Sequence, residues 1–467
     1  MAEARRTASS SSSSSPMTDV VVIGAGIIGS CTALELRRAN PTRRVTVVDS
    51  NAFAGAGTTS FSSGIIRTFY SVPETTACAW ESFLIWNHWE DYICQGGGVP
   101  RRDPRGMASM RKVPGLILRS PNSAAFLDGF LAQAKVCGIR AEELDYATTK
   151  VLGERAGWDV SKSFSPVRID DPDFGNPVAG QRIEGAVAVP DTGYVSDPQL
   201  ATKNVQFAAE ALGVEFKYSA LVTDILTETT TGASSVKGHR RVEGVRFQDG
   251  TQLLAPIVIN AAGPASSRVT QLAFPHQQEN DMTVTTRPLR AECAVVDAPP
   301  GINLDVDGVV SFDFDLGVYF RPEFGNRLLI GGLDLPCDDM DWVAPDALRD
   351  MSTSFTHQWK SHVYRMALRM PTLGIPQGKG VRGVVSTYDV TEDWSPIVDG
   401  SALPGYFMAI GSSGNCFKIA PFLGHLMAAV VDGQASVDLH RSKLGRFSTS
   451  VFSRSRRPFL ITGGVAG

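Results

Sequence analysis

The stretch from Asp19 to Ser50, DVVVIGAGIIGSCTALELRRANPTRRVTVVDS, constrains the fold more than any other part of the chain. It begins with a short apolar run, which is typical of a parallel strand that is buried on both faces. A glycine turn, a segment with helical spacing of apolar residues and a second apolar run that ends at Asp49 follow in that order. This order predicts a β-α-β unit, and hence an α/β fold.

The glycines of this unit, Gly24, Gly26 and Gly29, have the spacing GxGxxG. In a dinucleotide-binding unit the first permits a sharp turn, the second lets the backbone approach a pyrophosphate, and the third lets the helix pack closely. The helix N-terminus offers N–H groups and a partial positive charge to the phosphates. Asp49 follows Gly24 by 25 residues and can accept hydrogen bonds from ribose hydroxyls. We therefore predict a bound dinucleotide; the alternative is a similar core whose tight turn binds nothing.

Composition and charge narrow the class of protein further. With 467 residues, at roughly 150 residues per domain, the chain is expected to form two or three domains. The formal net charge of −4 gives no sign of a nucleic-acid or anionic-membrane partner, and no apolar run approaches the ~18–20 residues of a membrane span. The seven cysteines show neither CxxC nor zinc spacing, so we expect free thiols in a reducing compartment, a cytoplasmic location and no metal site.

The serine-rich residues 1–17 are predicted to be a disordered tail. They contain no apolar core, so they do not resemble a secretory signal, and a role in organelle targeting is left open.

Two features favour FAD as the dinucleotide. The glycine motif lies near the start of the chain, and a second apolar strand, more than 200 residues later, ends in the small residues of INAAGP, from Ile259 to Pro264. Small residues let the end of a strand pass close to a cofactor, although simple close packing also explains them. An NAD-dependent dehydrogenase is the weaker alternative.

Six ordered motifs make nearly the whole chain, from Val20 to about Val431, resemble the FAD-dependent D-amino-acid oxidase superfamily, and in particular its sarcosine oxidase/dimethylglycine dehydrogenase branch. They are VVVIGAGIIG, SFSSGIIRTFY, VINAAGP, GVYFRPEFGNRLLIGG, TYDVTEDWSPIVDG and AIGSSGNCFK. The first and third occur in many FAD enzymes, and the second and the last two narrow the branch.

The resemblance implies a mixed α/β (α+β) fold, in which an FAD-binding Rossmann-like domain is interleaved with a substrate domain built on an antiparallel sheet. We assign 18–105, 185–285 and 380–445 to the FAD-binding domain, 106–184 and 286–379 to the substrate domain, and 446–467 to a C-terminal tail.

The resemblance also implies a substrate site over the flavin. Arg67 and Lys418 match the arginine and the lysine that grip the substrate carboxylate from two sides, and Tyr70 and Tyr319 match pocket aromatics. Two cations suit a carboxylate, which arginine can bind with two parallel hydrogen bonds. Lys418 is predicted to open a helix, where its charge would oppose the helix dipole and so requires a functional reason.

The same matches give the cofactor-binding residues. They are Gly24, Ala25, Gly26, Ile27, Ile28, Gly29, Asp49, Ser50, Thr59, Ser63, Gly64, Ile65, Val222, Ala262, Gly263, Tyr388, Gly411, Gly414, Asn415, Cys416, Phe417 and Lys418.

The chain departs from the family pattern at several positions. Ser386 stands where monomeric sarcosine oxidases have the cysteine that links FAD. Some dehydrogenases of this branch attach FAD through a histidine just after the glycine motif, but no histidine lies between Met1 and Trp80. We therefore expect non-covalent FAD. Leu329 stands where the oxidases carry a lysine for O2 activation, which leaves open whether O2 or another acceptor reoxidises the flavin. Leu333 replaces a pocket histidine, which predicts a more apolar pocket.

The resemblance predicts that the protein oxidises the C–N bond of a secondary or tertiary amino acid, either N-alkyl or cyclic. A hydride would pass to flavin N5, and the resulting imine would hydrolyse. The expected partners are a small amino-acid-like substrate and an electron acceptor; the oligomeric state is not predicted. Two alternatives remain, a deaminase of primary amines similar to D-amino-acid or glycine oxidase, and a non-catalytic FAD-binding assembly factor.

Overall fold

The computed structural model describes residues 16–100, 102–230, 239–440 and 442–460. Its strands are β1 (Val20–Ile23), β2 (Val45–Val48), β3 (Ile65–Ile66), β4 (Met110–Lys112), β5 (Gly115–Arg119), β6 (Glu142–Asp145), β7 (Gly185–Val189), β8 (Gly193–Val195), β9 (Glu215–Lys217), β10 (Val222–Thr230), β11 (His239–Phe247), β12 (Gln252–Leu254), β13 (Ile257–Asn260), β14 (Thr286–Asp297), β15 (Val310–Asp313), β16 (Val318–Glu323), β17 (Arg327–Gly332), β18 (Gly383–Thr391), β19 (Ile397–Gly400), β20 (Tyr406–Ile410), β21 (Ser436–Asp438) and β22 (Arg446–Ser448). Its α-helices are α1 (Ile27–Ala39), α2 (Pro73–Asn87), α3 (Trp89–Ile93), α4 (Ala124–Cys137), α5 (Tyr146–Ala156), α6 (Pro198–Ala211), α7 (Ser266–Ala273), α8 (Leu304–Asp307), α9 (His357–Arg369) and α10 (Ala420–Val431).

One sheet of six strands carries the N-terminal glycine turn. Its order is β19-β20-β13-β1-β2-β9, and every neighbouring pair is parallel except β19 with β20. Strand β1 is apolar throughout and β2 contains one threonine, Thr46. Both strands are buried, because α1, α6 and α10 cover one face and the hairpin of β10 and β11 contributes to the core on the other. The predicted β-α-β unit and the α/β class are confirmed.

A second sheet has eight strands in the order β18-β14-β17-β16-β15-β5-β7-β6. All neighbours are antiparallel except β15 with β5. Side chains alternate between its faces, so Val318 and Phe320 pack in the core under α9, whereas Tyr319, between them, points into the larger core. This alternation aims Tyr319 at the face of the sheet that meets the six-stranded sheet.

The two sheets meet where β18, at the edge of the larger sheet, contacts the 3₁₀ turns Thr58–Phe61 and Gly263–Ala265. The second turn follows the carboxyl end of β13 directly, and the first follows the loop after β2. The junction therefore lies at the carboxyl ends of the parallel strands, where α/β sheets bind their ligands.

The sheets bear on the domain boundaries drawn from the sequence. Strands β7 and β18 fall in segments that were assigned to the FAD-binding domain, yet both pair within the eight-stranded sheet. The assignment followed sequence order, whereas the pairing depends on contacts between distant segments. The remaining boundaries stay a prediction.

The ends of the chain correct two expectations in part. Residues 1–15 of the predicted disordered tail lie outside the described residues, but the backbone of Pro16 accepts a hydrogen bond of 3.0 Å from Leu254. In the predicted C-terminal tail, β22 pairs with β21, and Phe452 is completely buried. Burial of an aromatic ring explains why this segment is held against the domain.

Candidate active site

A long cavity opens at the carboxyl ends of β1, β2, β13 and β20. Of the residues predicted to bind the cofactor, its lining includes Gly24, Gly26, Ile27, Ile28, Asp49, Ser50, Thr59, Ser63, Val222, Ala262, Gly263, Tyr388, Gly414, Cys416 and Phe417. Seven others predicted with them are not part of this lining: Ala25, Gly29, Gly64, Ile65, Gly411, Asn415 and Lys418. The cavity thus brings together segments from the beginning, the middle and the end of the chain.

The glycine turn forms one end of the cavity. Gly24 has φ +113°, and a Cβ atom there would lie 2.2 Å from the carbonyl oxygen of Ala261. A Cβ on Gly29 would lie 1.9 Å from the carbonyl oxygen of Gly24. Only glycine fits either position, and the bare turn leaves the start of α1 open to a phosphate.

Asp49 lies beside this turn with its carboxylate held by backbone donors. The amides of Ala25 and Asn51 each donate to it at 2.7 Å, and the Asn51 side chain donates at 2.9 Å. Each carboxylate oxygen has two lone pairs, so the group can still accept bonds from ribose hydroxyls. Asn51 also lines the cavity, and the sequence reading did not single it out.

The other end of the cavity is formed by Tyr388 and the loop before α10. Gly414 has φ +70°, and a Cβ atom there would lie 2.8 Å from carbon atoms of the Tyr388 ring. The loop can therefore pack flat against this ring only with glycine at that position. Ser386, which stands at the position of the family's linking cysteine, lines the same end.

Arg67, Tyr70 and Lys418 form a buried cluster next to that end, although they do not line the cavity. The Arg67 guanidinium carbon lies 3.7 Å from the centre of the Tyr70 ring, and the Lys418 Nζ atom lies 5.9 Å from the same centre. Lys418 Nζ donates to the carbonyl of Asn415 at 2.7 Å, and Arg67 donates to the carbonyl of Phe69. Two cations from distant segments of the chain are thus grouped around one aromatic ring.

Tyr319 joins this cluster through Phe312, whose ring centre lies 5.7 Å from that of Tyr319 and 5.0 Å from the Arg67 guanidinium. Its hydroxyl lies 3.4 Å from the thiol of Cys293, which lines the cavity. Gly331, on the neighbouring strand, makes room for the ring, since a Cβ there would lie 2.3 Å from it. The four residues proposed to act on substrate are therefore grouped in one place.

Burial shifts the protonation equilibria in this cluster. Desolvation, reinforced by the charge of Arg67, holds the pKa of Lys418 well below its usual range. Desolvation also lowers the pKa of Arg67 and raises that of Tyr70. It raises the pKa of the Cys416 thiol to about 12, so this thiol stays protonated at neutral pH. The cluster is costly to charge as it stands, and an anion placed beside it would offset that cost.

Lys418 does not open a helix as predicted. α10 begins two residues later, at Ala420, and Lys418 lies in the turn that leads into it. Pro421 in the first turn of α10 favours a helix start here, because the fixed φ of proline suits the first helical position. Lys418 is thus freed to turn its side chain toward Asn415 and Tyr70.

Two residues that differ from the family pattern, Leu329 in β17 and Leu333 just after it, are apolar core residues. Leu329 and Leu333 are 5% and 3% exposed, and neither lines the cavity. The cavity lining also contains residues that the sequence reading missed, among them Asp389, Leu348 and Ser412. Asp389 carried a signal, since it is an acid in the buried part of a strand; Leu348 lies in an irregular loop with no recognisable pattern.

No group of three or more His, Cys, Asp or Glu side chains in the described residues is placed to hold a metal ion. None of the described helices combines the length and the apolarity needed to cross a bilayer.

Together, a parallel sheet with a glycine cradle and a long cavity at its carboxyl edge define a dinucleotide-binding protein. Residues 19–430 match the family described as FAD dependent oxidoreductase (DAO). The chain therefore belongs to this family of FAD-dependent oxidoreductases. The cradle and the small residues from Ala261 to Gly263 fit this cofactor, because they keep side chains away from the cavity where phosphates would lie.

Relatives of known sequence and structure agree. A glycine oxidase from Geobacillus kaustophilus (strain HTA426) is 26% identical over 256 residues, and the match spans 55% of this chain and 58% of the relative. The structure of L-proline dehydrogenase from P. horikoshii superposes with a TM-score of 0.70 at 18% identity, over 95% of this chain and 98% of that one. Glycine oxidase from G. kaustophilus gives 0.66 at 19% identity, over 95% and 100%.

L-amino acid deaminase from Proteus vulgaris gives a TM-score of 0.66 at 15% identity, over 94% of this chain and 97% of that one. At these identities the structural matches show the shared fold alone. With the family match, they confirm the resemblance to the D-amino-acid oxidase superfamily, and they fit its sarcosine-oxidase-like branch.

Proposed function

We propose that this protein oxidises the C–N bond of an amino acid with a secondary or tertiary amine, using FAD as the oxidant. The observation that carries the proposal is the position of Lys418. Its ammonium group is buried beside Arg67 and donates to the neutral carbonyl of Asn415, and the charge of Arg67 adds to desolvation in lowering its pKa.

A carboxylate ligand would complete this arrangement. Burying a cation next to another cation costs free energy, and an anion bound between them would offset this cost. Arg67 offers a planar fork for two parallel hydrogen bonds, and Lys418 offers a mobile point charge. The hydroxyl of Tyr70 is buried, has no hydrogen-bond partner, and belongs to the ring over which Arg67 lies. It would give a carboxylate a third donor.

The chemistry requires the substrate to be held in one orientation. When bound, FAD would supply a two-electron acceptor: the C–H bond next to nitrogen would break, its electron pair would leave with the hydrogen as hydride, and a C=N bond would form on the substrate. Arg67, Lys418 and Tyr70 would fix the carboxylate, so that this C–H bond points toward the cavity. Their positive charge would also favour the neutral amine, whose lone pair assists the loss of hydride. Water then adds to the C=N bond, and the C–N bond breaks to give a carbonyl compound and an amine.

The choice of a secondary or tertiary amine rests on two supports. Leu329 and Leu333 are buried, and they make the face of the eight-stranded sheet that carries Tyr319 apolar. An apolar face suits an N-alkyl or cyclic substituent on the substrate. L-proline dehydrogenase, one of the structural neighbours, has a name that specifies a cyclic secondary amine. The second candidate is oxidative deamination of a primary amine, which the glycine oxidase relative favours.

Three further expectations, on the FAD linkage, the electron acceptor and the compartment, come from the sequence and complete the proposal. FAD is expected to bind without a covalent link, because Ser386 is a far weaker nucleophile than a cysteine thiolate. The electron acceptor, O2 or another carrier, stays open, because Leu329 stands where the family's oxidases carry a lysine. Cys31, Cys78, Cys137, Cys293, Cys337 and Cys416 are free thiols, which supports the expected reducing, cytoplasmic compartment.

Bleaching of the flavin absorbance under anaerobic conditions tests the proposal. The panel consists of N-methyl, cyclic and primary amino acids, each paired with the same amine lacking its carboxyl group. We expect the secondary or tertiary amino acids to reduce the flavin fastest, and each decarboxylated partner to react at least about 100-fold more slowly. Arg67→Ala should slow the amino acids to the rates of the decarboxylated amines and leave the latter unchanged.

Three results would count against the proposal. Equal rates within each pair would remove the carboxylate anchor. A preference for primary amino acids would replace the proposed substrate class with the second candidate. A yellow protein that no member of the panel bleaches would leave the family's redox chemistry but reject amino acids as substrates. Exposure of the reduced protein to air then tells whether O2 is an effective acceptor.

A further inference from the structure

Asp389 is a buried acid that the proposed reaction does not use. It lies near the end of β18, is completely buried, and lines the cofactor cavity. Its Oδ2 atom accepts a hydrogen bond of 2.7 Å from the amide of Gly411, whereas its Oδ1 atom has no partner. A buried carboxylate oxygen without a donor costs free energy, so this atom requires an explanation.

The position of Asp389 in the cavity limits what can meet Oδ1. On one side, Ser266, whose hydroxyl acts on this carboxyl, directly follows the turn Gly263–Ala265, which contacts β18. Ala261, just before that turn, lies against Gly24. On the other side, Gly411 begins the loop that leads to Gly414 and the Tyr388 ring. Asp389 therefore lies between the phosphate end and the ring end of the cavity.

The chemistry at this position selects one part of FAD. A phosphate would be repelled by a carboxylate, and the planar ring belongs at the end formed by Tyr388. The ribityl chain connects the ring to the phosphates and carries three neutral hydroxyl groups, each of which can donate a hydrogen bond. We propose that Asp389 binds one of these hydroxyls through Oδ1 and so selects the intact ribityl side chain of FAD.

Two further observations support this assignment. Burial raises the pKa of Asp389 to about 7, so a donor to Oδ1 is needed to favour the ionised form at neutral pH. The hydroxyl of Ser266, which acts on the same carboxyl, is itself buried without a partner of normal geometry. A ligand hydroxyl both donates and accepts, so it can satisfy both oxygen atoms. The competing explanation is that the hydroxyl of Thr286 or of Ser266, both of which lower the pKa of this carboxyl, rotates to bond Oδ1 directly.

FAD analogues that lack the 2′-, 3′- or 4′-hydroxyl of the ribityl chain test the proposal. Dissociation constants are measured by fluorescence titration of the full-length apoprotein, without substrate or turnover. In the wild-type protein, one analogue should bind roughly 10- to 100-fold more weakly than FAD. Asp389→Asn should weaken FAD by a similar factor, and in that variant the same analogue should bind as well as FAD.

Asp393→Asn is the matched control, because Asp393 is a buried acid four residues further on that is paired with Arg456 and does not line the cavity. It should preserve the full penalty for the missing hydroxyl. The proposal is overturned if wild-type protein binds all three analogues within twofold of FAD, a result that needs no variant to fold. It is also overturned if Asp389→Asn changes the affinity for FAD and for every analogue by one common factor, as a purely structural role would.

Discussion

The two ends of the cavity are built in different ways. At the nucleotide end the backbone sets the shape: Gly24 and Gly29 leave no room for a side chain, and Asp49 holds the amide of Ala25. The ring end lies next to side chains that converge on Tyr70, two of them charged. An added side chain at the nucleotide end would overlap with the backbone, whereas removal of a charge at the ring end would remove an attraction for the ligand. Substitutions at the two ends should therefore have opposite effects.

The largest effect is expected from Gly29→Ala. The added methyl group would lie 1.9 Å from the carbonyl oxygen of Gly24, so the turn and α1 must separate and FAD binding should be lost. Gly129→Ala is the control, because Gly129 lies within α4 with nothing within 4 Å of its added Cβ, and alanine should stabilise that helix by about 0.5–1 kcal/mol. Flavin absorbance and thermal unfolding measure both. A Gly29→Ala protein with normal FAD content would break the comparison.

Lys418→Met should separate activity from stability. Loss of the buried cation should lower kcat/KM for a carboxylated substrate by roughly 10²–10⁴-fold, because one side of the anchor is missing. The substrate-free protein should be about 1–4 kcal/mol more stable, because an apolar side chain replaces a desolvated charge. Lys360→Met, at an exposed position of α9, should change neither quantity. If Lys418→Met destabilised the protein and left kcat/KM intact, the cluster would be structural.

The pH dependence of stability should reveal the buried acid between the two ends. The pKa of Asp389 is about 7 in the folded protein and near 3.8 when exposed, so between these values only the folded state keeps the proton. The free energy of unfolding of the apoprotein should therefore fall as pH rises from about 4 to 7, by up to about 4 kcal/mol from this residue. Urea titrations of wild type and Asp389→Asn check this. Parallel curves would show that Asp389 does not keep its proton in the folded state.

Asp49→Asn should give the smallest effect. The amide side chain keeps the shape, but it carries no negative charge and has one acceptor oxygen fewer than the carboxylate. FAD should therefore bind about tenfold more weakly, whereas the substrate kinetics at saturating FAD should be unchanged. Asp19→Asn removes an exposed pair with Arg44 in the same β-α-β unit and should leave FAD affinity within twofold. An altered KM in Asp49→Asn would mean that the two ends are coupled.

The nucleotide end could be predicted from the sequence because its residues lie together. One stretch of 32 residues contains the strand, the turn, the helix and the acid, and their spacing carries the geometry. The ring end could not be derived in this way, because Arg67, Tyr319 and Lys418 come from three separate segments. Only the resemblance to a known family brought them together, and the structure places them around Tyr70 and Phe312.

The misses have physical reasons as well. Asp389 was not predicted, although it directly follows Tyr388, because its burial at the cavity depends on the pairing of β18 with the distant strand β14. Leu348 reaches the cavity from an irregular loop, whose path depends on contacts rather than on local propensity. Strand β7 pairs next to β5 and β6, a partnership that sequence order does not reveal.

The neighbouring strands β20, β13 and β1 come from the end, the middle and the beginning of the chain. On a ribosome that adds roughly 5–20 residues per second, β1 must wait about 20 s or more for β20 to be made. During that interval neither the sheet nor the pocket is complete, so FAD cannot template the early steps of folding. FAD would therefore find its complete site only on a chain whose C-terminal strands have been made.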